Sequence, residues 1–220
     1  MPELALNVPE KFRRGGKKEQ EQASVESGRE LIDLMCAKVG IADLGNTELL
    51  DVGCGNKFVQ AILTHDLPLK RYVGSDIHPG LIEFLQANVS DERFSFFTDN
   101  SQNDMYNPDG EPLSDATRLP LEEGSFDLIC LFSVFTHLAP HDYVSMLKLL
   151  RRYIKPDGKI FFSLFVNELT EGGFGFVDNM AAKISATMSD EDVARGMTGP
   201  DDFKDWFPER PLWRAVYSRE

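Results

Sequence analysis

Short apolar runs alternate with stretches of helical spacing between residues 48 and 166, and this alternation constrains the fold more tightly than any other feature of the sequence. The runs at 48–52, 71–75, 94–97, 126–135 and 159–166 have strand length, while 58–64, 81–87 and 143–154 repeat apolar residues at helical spacing. A helix between two strands carries the chain back along the sheet, so the strands it joins lie parallel and the helices cover the faces. The spacing therefore predicts an α/β fold with a doubly wound, mostly parallel sheet. A further amphipathic helix from Val25, with Leu31, Ile32, Leu34, Met35 and Val39 on one side, precedes the first strand and ends at Gly40. Lys155-Pro156-Asp157-Gly158 predicts a turn between the last helix and the fifth strand, because proline presets one dihedral and glycine tolerates the left-handed one.

The 220 residues, 42% of them hydrophobic, suit one α/β domain with appendages. A formal net charge of −13 leaves no broad cationic surface to neutralise phosphates, which excludes nucleic acid and anionic membrane as partners of the whole chain. Cys36, Cys54 and Cys130 lack metal-ligand spacing and read as reduced thiols of a cytoplasmic protein. The apolar runs are about half or less of the ~20 residues a membrane helix needs, so none is expected to span a bilayer. Three segments follow from the composition. Residues 1–24, with the basic cluster Lys11, Arg13, Arg14, Lys17 and Lys18, are expected to be a mobile polar tail. Residues 25–166 form the core, and 167–220 an irregular lid or acceptor-binding segment holding Gly172–Phe176, an acidic stretch near Met188–Ala194, Trp206 and Trp213.

Leu49-Leu50-Asp51-Val52-Gly53-Cys54-Gly55 joins the end of the first apolar run to a glycine turn that opens a helix. Glycine is needed where the backbone turns sharply and lets a ligand approach without a Cβ in the way, so the segment presents a nucleotide-type cofactor site at the carboxyl edge of the sheet. This segment resembles the first motif of the class I S-adenosylmethionine-dependent methyltransferases. Gly74-Ser75-Asp76-Ile77 at the next strand end, Leu119-Pro120-Leu121-Glu122-Glu123-Gly124-Ser125-Phe126-Asp127 before the fourth strand, Ser133-Val134-Phe135-Thr136-His137-Leu138 after it and Leu149 to Lys159 before the fifth extend the resemblance in order over residues 29–166.

The resemblance implies S-adenosylmethionine as cofactor and methyl transfer as activity; the aromatic 167–220 segment and the acidic surface suggest a small-molecule acceptor, and the alternative is a non-catalytic adenosyl-cofactor-binding or scaffold protein. It places Asp51 near the methionine ammonium or its water shell, Gly53, Cys54 and Gly55 against the cofactor backbone, Asp76 with Ile77 at the ribose, and Ser133 at the exit of strand four. Adenine recognition falls to Asp99, if Asp104–Pro112 is an insertion, or to Asp115 in Ser114-Asp115-Ala116-Thr117-Arg118-Leu119-Pro120. Asp99 is the favoured reading. His137 lies where the methyl group is expected, as a general base or, more simply, as a residue bonded to backbone. Asn167, Glu168 and the 172–176 loop are candidate acceptor contacts. Two positions depart from glycine-rich patterns: Lys57 stands where the family often has a third glycine, and Phe58 stands where a nicotinamide-dinucleotide fingerprint requires Gly or Ala. The family usually adds two strands after the fifth, and residues 167–220 do not supply both, although 213–217 reads as one short strand. The C-terminal strands are thus expected to be incomplete. An apolar edge of Ile160, Phe162, Leu164 and Val166 would be left to a second copy of the chain, a larger parent protein or residues 167–220.

Overall fold

A computed structural model describes residues 3–13, 19–103, 106–166, 203–205 and 215–217. The central strands are near-continuous apolar runs buried on both faces, and the period of two splits their side chains between two cores. Leu49, Tyr72, Leu128 and Cys130 face one side, while Leu50, Val52, Val73, Ile129 and Leu131 face the other. The strands are β1 (Leu44–Val52), β2 (Leu69–Asp76), β3 (Phe94–Thr98), β4 (Phe126–Leu131) and β5 (Ile154–Phe162), in the order β3-β2-β1-β4-β5, with every neighbouring pair parallel. Helices α1 (Glu19–Val39), α2 (Lys57–His65) and α3 (Pro79–Asn88) supply the first core with Ile32, Met35, Val59, Ile62, Ile82 and Leu85. Helix α4 (Pro140–Leu150) covers the other face through Met146, Leu149 and Leu150. The doubly wound parallel sheet expected from the spacing is the observed fold. The order reverses at β1, whose two neighbours leave on opposite sides, so the crevice for a ligand opens at the carboxyl ends of β1 and β4.

Two elements differ from the sequence expectation. The first is the polar tail. Within residues 3–13, Leu6 and Val8 are buried in the first core, and Glu21, itself buried in α1, accepts hydrogen bonds from Val8 N at 3.1 Å and Gln60 Nε2 at 2.8 Å. Arg13 Nε lies 3.2 Å from the other Glu21 oxygen. Two apolar side chains and one buried carboxylate thus pin this part of the expected mobile segment, and α1 begins at Glu19 rather than Val25. The second is the proline–glycine turn, which sits inside β5. Phe126 pairs with Ile154 and Leu128 with Lys159, so four residues bulge outward against one on β4.

The far end of the sheet follows the expectation of incomplete C-terminal strands. Among the described residues β5 is its last strand, and the chain then forms β6 (Phe165–Val166), which joins β7 (Phe203–Asp205) and β8 (Ala215–Tyr217) in a separate three-stranded sheet of order β6-β8-β7. β8 runs parallel to β6 and antiparallel to β7. Ile160, Phe162 and Leu164 on the expected open edge are half-buried and pack on the α4 core. The 172–176 loop, Asn167, Glu168, residues 188–194 and both tryptophans lie outside the described residues.

Candidate functional site

The carboxyl end of β1 turns through Gly53, Cys54 and Gly55 into α2. Gly53 has φ +67°, and a Cβ built on it would stand 2.5 Å from Val134 Cγ2, so both the conformation and the space admit glycine alone. Two bonds fasten this turn to the end of β2: Cys54 N donates to Ser75 O at 2.9 Å, and Gly55 N donates to Asp76 Oδ2 at 3.0 Å. Asp76 Oδ1 accepts from His78 N at 3.0 Å. Each oxygen of this carboxylate therefore keeps a second lone-pair direction for a ligand hydroxyl. One strand further on, Asp99 N donates to Asp76 O at 3.0 Å, and Asp99 Oδ1 accepts from Ser101 N at 2.9 Å and Ser101 Oγ at 2.7 Å. Asp99 Oδ2 has no hydrogen-bond partner among the described residues. Gly53, Gly55, Asp76, Ile77, Asp99, Ser133 and His137 all border one cavity of about 500 Å³.

On the β4 side the backbone is tightly held. Ser133 has φ 57°, in the left-handed region that a residue with a Cβ seldom adopts, and its N–H donates to Ser163 Oγ at 2.8 Å. The next residues form a 3₁₀ turn, Phe135–His137, with Phe135 and Thr136 buried. The β3–β4 connection folds back on itself through bridges Ser101↔Glu111 and Asn103↔Asn107 and then reaches this turn. Asn103 Nδ2 donates to His137 O at 2.8 Å, and the Tyr106 ring stands edge-to-face with the His137 imidazole at 5.4 Å and 88°.

Three sequence candidates stand elsewhere. Asp51 is buried behind the glycine turn, accepting from Tyr72 Oη at 2.6 Å and Cys130 Sγ at 3.3 Å, and it does not border the cavity. Its side chain belongs to the face of β1 that packs toward α1 and α2, which is why it meets core residues. Burial, with the Asp51 charge added, pushes the Tyr72 hydroxyl and the Cys54 and Cys130 thiols far up, so both thiols stay protonated. Cys54 contributes backbone to the turn, its thiol being buried out of the cavity. Asp115 is solvent-exposed, 3.6 Å from Lys148, and does not border the cavity that Asp99 lines. The folded-back 101–111 segment explains this, since it separates Asp115 from the end of β3. Lys57 leans away from the site, its Nζ 3.4 Å from Ser27 Oγ on α1.

The sequence reading missed residues that the fold brings in from a distance. Lys11, Phe12 and Arg13 border the cavity, with Phe12 packed edge-on against His78 at 5.3 Å and its carbonyl accepting from Asn56 Nδ2 at 3.2 Å. The apolar alternation of Leu4, Leu6 and Val8 was the available signal, overshadowed by the basic cluster after it. Tyr106 lies within the stretch taken as an insertion, Asp104–Pro112, and Asn103 directly before it, and neither carried a motif. Among the described residues no group of three or more His, Cys, Asp or Glu side chains can hold a metal ion.

Solved structures similar to this chain include the PH0226 protein from Pyrococcus horikoshii OT3 (21% identity over 71% of this chain and 64% of that one, TM-score 0.44). Others are the YcgJ protein from Bacillus subtilis (17%, 64% and 53%, TM-score 0.45) and phosphoethanolamine N-methyltransferase 1 from Haemonchus contortus, in complex with phosphoethanolamine and S-adenosylhomocysteine (18%, 68% and 27%, TM-score 0.45). The chain thus spans between 27% and 64% of the length of these three. Residues 50–162 match the methyltransferase domain family, from the last residues of β1 to the end of β5. That match takes in half of the chain and every strand end that borders the cavity, and the chain belongs to the class I S-adenosylmethionine-dependent methyltransferase family.

Proposed function

We propose that the cavity at the carboxyl ends of β1 to β4 binds S-adenosylmethionine and that the chain transfers its methyl group to a small-molecule acceptor. The observation that carries this reading is the joint placement of Asp76 and Asp99. Two carboxylates at successive strand ends are joined by a backbone bond, one is fastened to the glycine turn, and the other holds a free acceptor oxygen, all around one cavity. Such a pair suits a ribose diol at Asp76 and an exocyclic amino group at Asp99, with Ile77 between them as an apolar support and Gly53 admitting the remainder of the molecule. When bound, this cofactor supplies a methyl group on a positively charged sulfur, so that an acceptor lone pair forms the new bond to carbon while the carbon–sulfur bond breaks and its electrons return to sulfur.

The work left to the protein is alignment and exclusion of water. Ser133 and Val134, held by the Ser163 bond and by contact with Gly53, fix the wall between the two reactants. His137 borders the same wall, and an imidazole there can take the proton that an O–H or N–H acceptor releases. The acidic surface supports a small molecule over nucleic acid as acceptor. Calorimetry with S-adenosylhomocysteine tests the cofactor reading. The wild type should bind, and Asp76→Ala, which loses a charge-assisted hydrogen bond of about 1.5–3 kcal/mol, should bind tenfold or more weakly. Equal affinity in a folded variant would reject the assignment. Activity is then sought as cofactor-dependent gain of one methyl mass in a metabolite panel.

A further inference from the structure

Charge is segregated within the cavity. Its fully charged lining residues, among those described, are Lys11, Arg13, Asp76 and Asp99. All four belong to one end. Asp76 and Asp99 are joined by a backbone bond, and Phe12, between Lys11 and Arg13, packs on His78 and on Phe84 of α3. The β4 end has a different character. Leu138 and Met146 belong to the α4 core, Leu113 packs against it, and Tyr106 closes the side formed by the folded-back loop. Tyr106 is 53% exposed while bordering the cavity, whereas the other exposed large apolar residue, Val144, does not border it.

We propose that the β4 end is an acceptor subsite for an uncharged aromatic molecule. This deepens the methyltransferase reading and rests on it, because the cofactor must fill the charged end. The physical grounds are these. Among the described residues no Lys or Arg borders the cavity beside Leu113, Leu138 and Met146, so an anionic group buried there would lose its hydration without a described cation to replace it and is disfavoured. Tyr106 and His137, set edge-to-face, form a corner of two rings, and a flat ring fills a corner of that kind by stacking on one ring and meeting the edge of the other. His137 then offers the polar contact for the acceptor's O–H or N–H. Asn103 is a positioning residue: it donates to His137 O at 2.8 Å, and its Oδ1 accepts from Tyr106 N at 3.0 Å, so one side chain sets both walls of the corner.

The test uses protein saturated with S-adenosylhomocysteine and follows 2-naphthol and 2-naphthyl phosphate by ligand-observed NMR titration. The inference expects 2-naphthol to bind and the phosphate to bind at least about tenfold more weakly. Tyr106→Ala should weaken 2-naphthol by about tenfold, Asn103→Ala by less, and both should keep S-adenosylhomocysteine affinity within about twofold. Val144→Ala, outside the cavity, should change neither. Absence of 2-naphthol binding, equal or tighter binding of the phosphate, or indifference to Tyr106→Ala would overturn the subsite while leaving the cofactor reading intact. Failure of the wild type to bind S-adenosylhomocysteine would overturn both.

Discussion

Asp51 pairs in the sheet with Gly74 on one side and Cys130 on the other, and this register decides its surroundings. Gly74 has no side chain, so the Tyr72 hydroxyl two residues earlier on the same face reaches Asp51 at 2.6 Å. Removing that donor leaves a buried carboxylate short of one strong hydrogen bond. Tyr72→Phe should therefore destabilise the protein by about 1.5–3 kcal/mol, lowering the thermal midpoint by about 2–4 °C for each kcal/mol, as read by urea and thermal unfolding. An unchanged midpoint would mean that Asp51 does not depend on this bond. The same enclosure protects the thiols. Burial pushes Cys36 up to about 11 and raises Cys54 and Cys130 well above the ordinary thiol range, so at pH 7 none should react with a disulfide reagent until the chain is unfolded. His137 belongs to this scale as well. Asn at that position should lower the methylation rate modestly at saturating cofactor and acceptor; a loss of ~10²-fold or more would identify it as the general base.

At the level of elements, the bulge in β5 has a consequence at the opposite end of the sheet from the cavity. Looping out Lys155 to Gly158 sets Lys155 Nζ 2.8 Å from Glu48 Oε2 and 2.8 Å from Asp127 Oδ1, tying β5 to β1 and β4. The hydrogen bond from Lys155 holds Glu48 below its ordinary 4.5. Burial alone would raise Asp127, but bonds from Lys155 and the Glu48 backbone outweigh it and hold it below 3.8. Carboxylates with lowered values stabilise the fold above their ordinary range, and that contribution is lost as pH falls through it. Lys155→Met should cost about 1 kcal/mol at neutral pH, as suits partly exposed pairs, and flatten the fall of stability below pH ~5. Urea midpoints across pH 3–7 would check both, and parallel wild-type and variant curves would contradict the network. Segment 99–113 shows the limit of reading elements from pattern. Asparagine bonds and two bridges among its described residues build a fold-back with no apolar period, and Asp99 rather than Asp115 borders the cavity.

For the whole molecule, a net charge of −13 on 220 residues makes self-repulsion a standing cost of compactness. Added salt screens charges separated by more than about 10 Å, so the thermal midpoint should rise between ~0.02 and ~0.3 M sodium chloride. A falling midpoint would show that short-range ion pairs, such as those of Lys155, outweigh the global repulsion. The alternation of strands and helices, the glycine turn and the acid at the end of β2 are all legible in the sequence, because each is a property of residues within a few positions of one another. Periods of 2 and 3.6 decide which face of an element is apolar, and a glycine forced to positive φ declares itself locally. What the tertiary structure alone decides is which side chains meet across the cavity. Phe12 reaches His78 and Phe84, Asn103 reaches His137, and Tyr217 Oη donates to Leu138 O at 2.6 Å, each contact joining residues more than thirty positions apart. Asp51 turns inward while Asp76 turns to the cavity for the same reason. Both are acids at strand ends, and only the packing of neighbouring strands and helices determines whether water, a ligand or a tyrosine hydroxyl completes their hydrogen bonds.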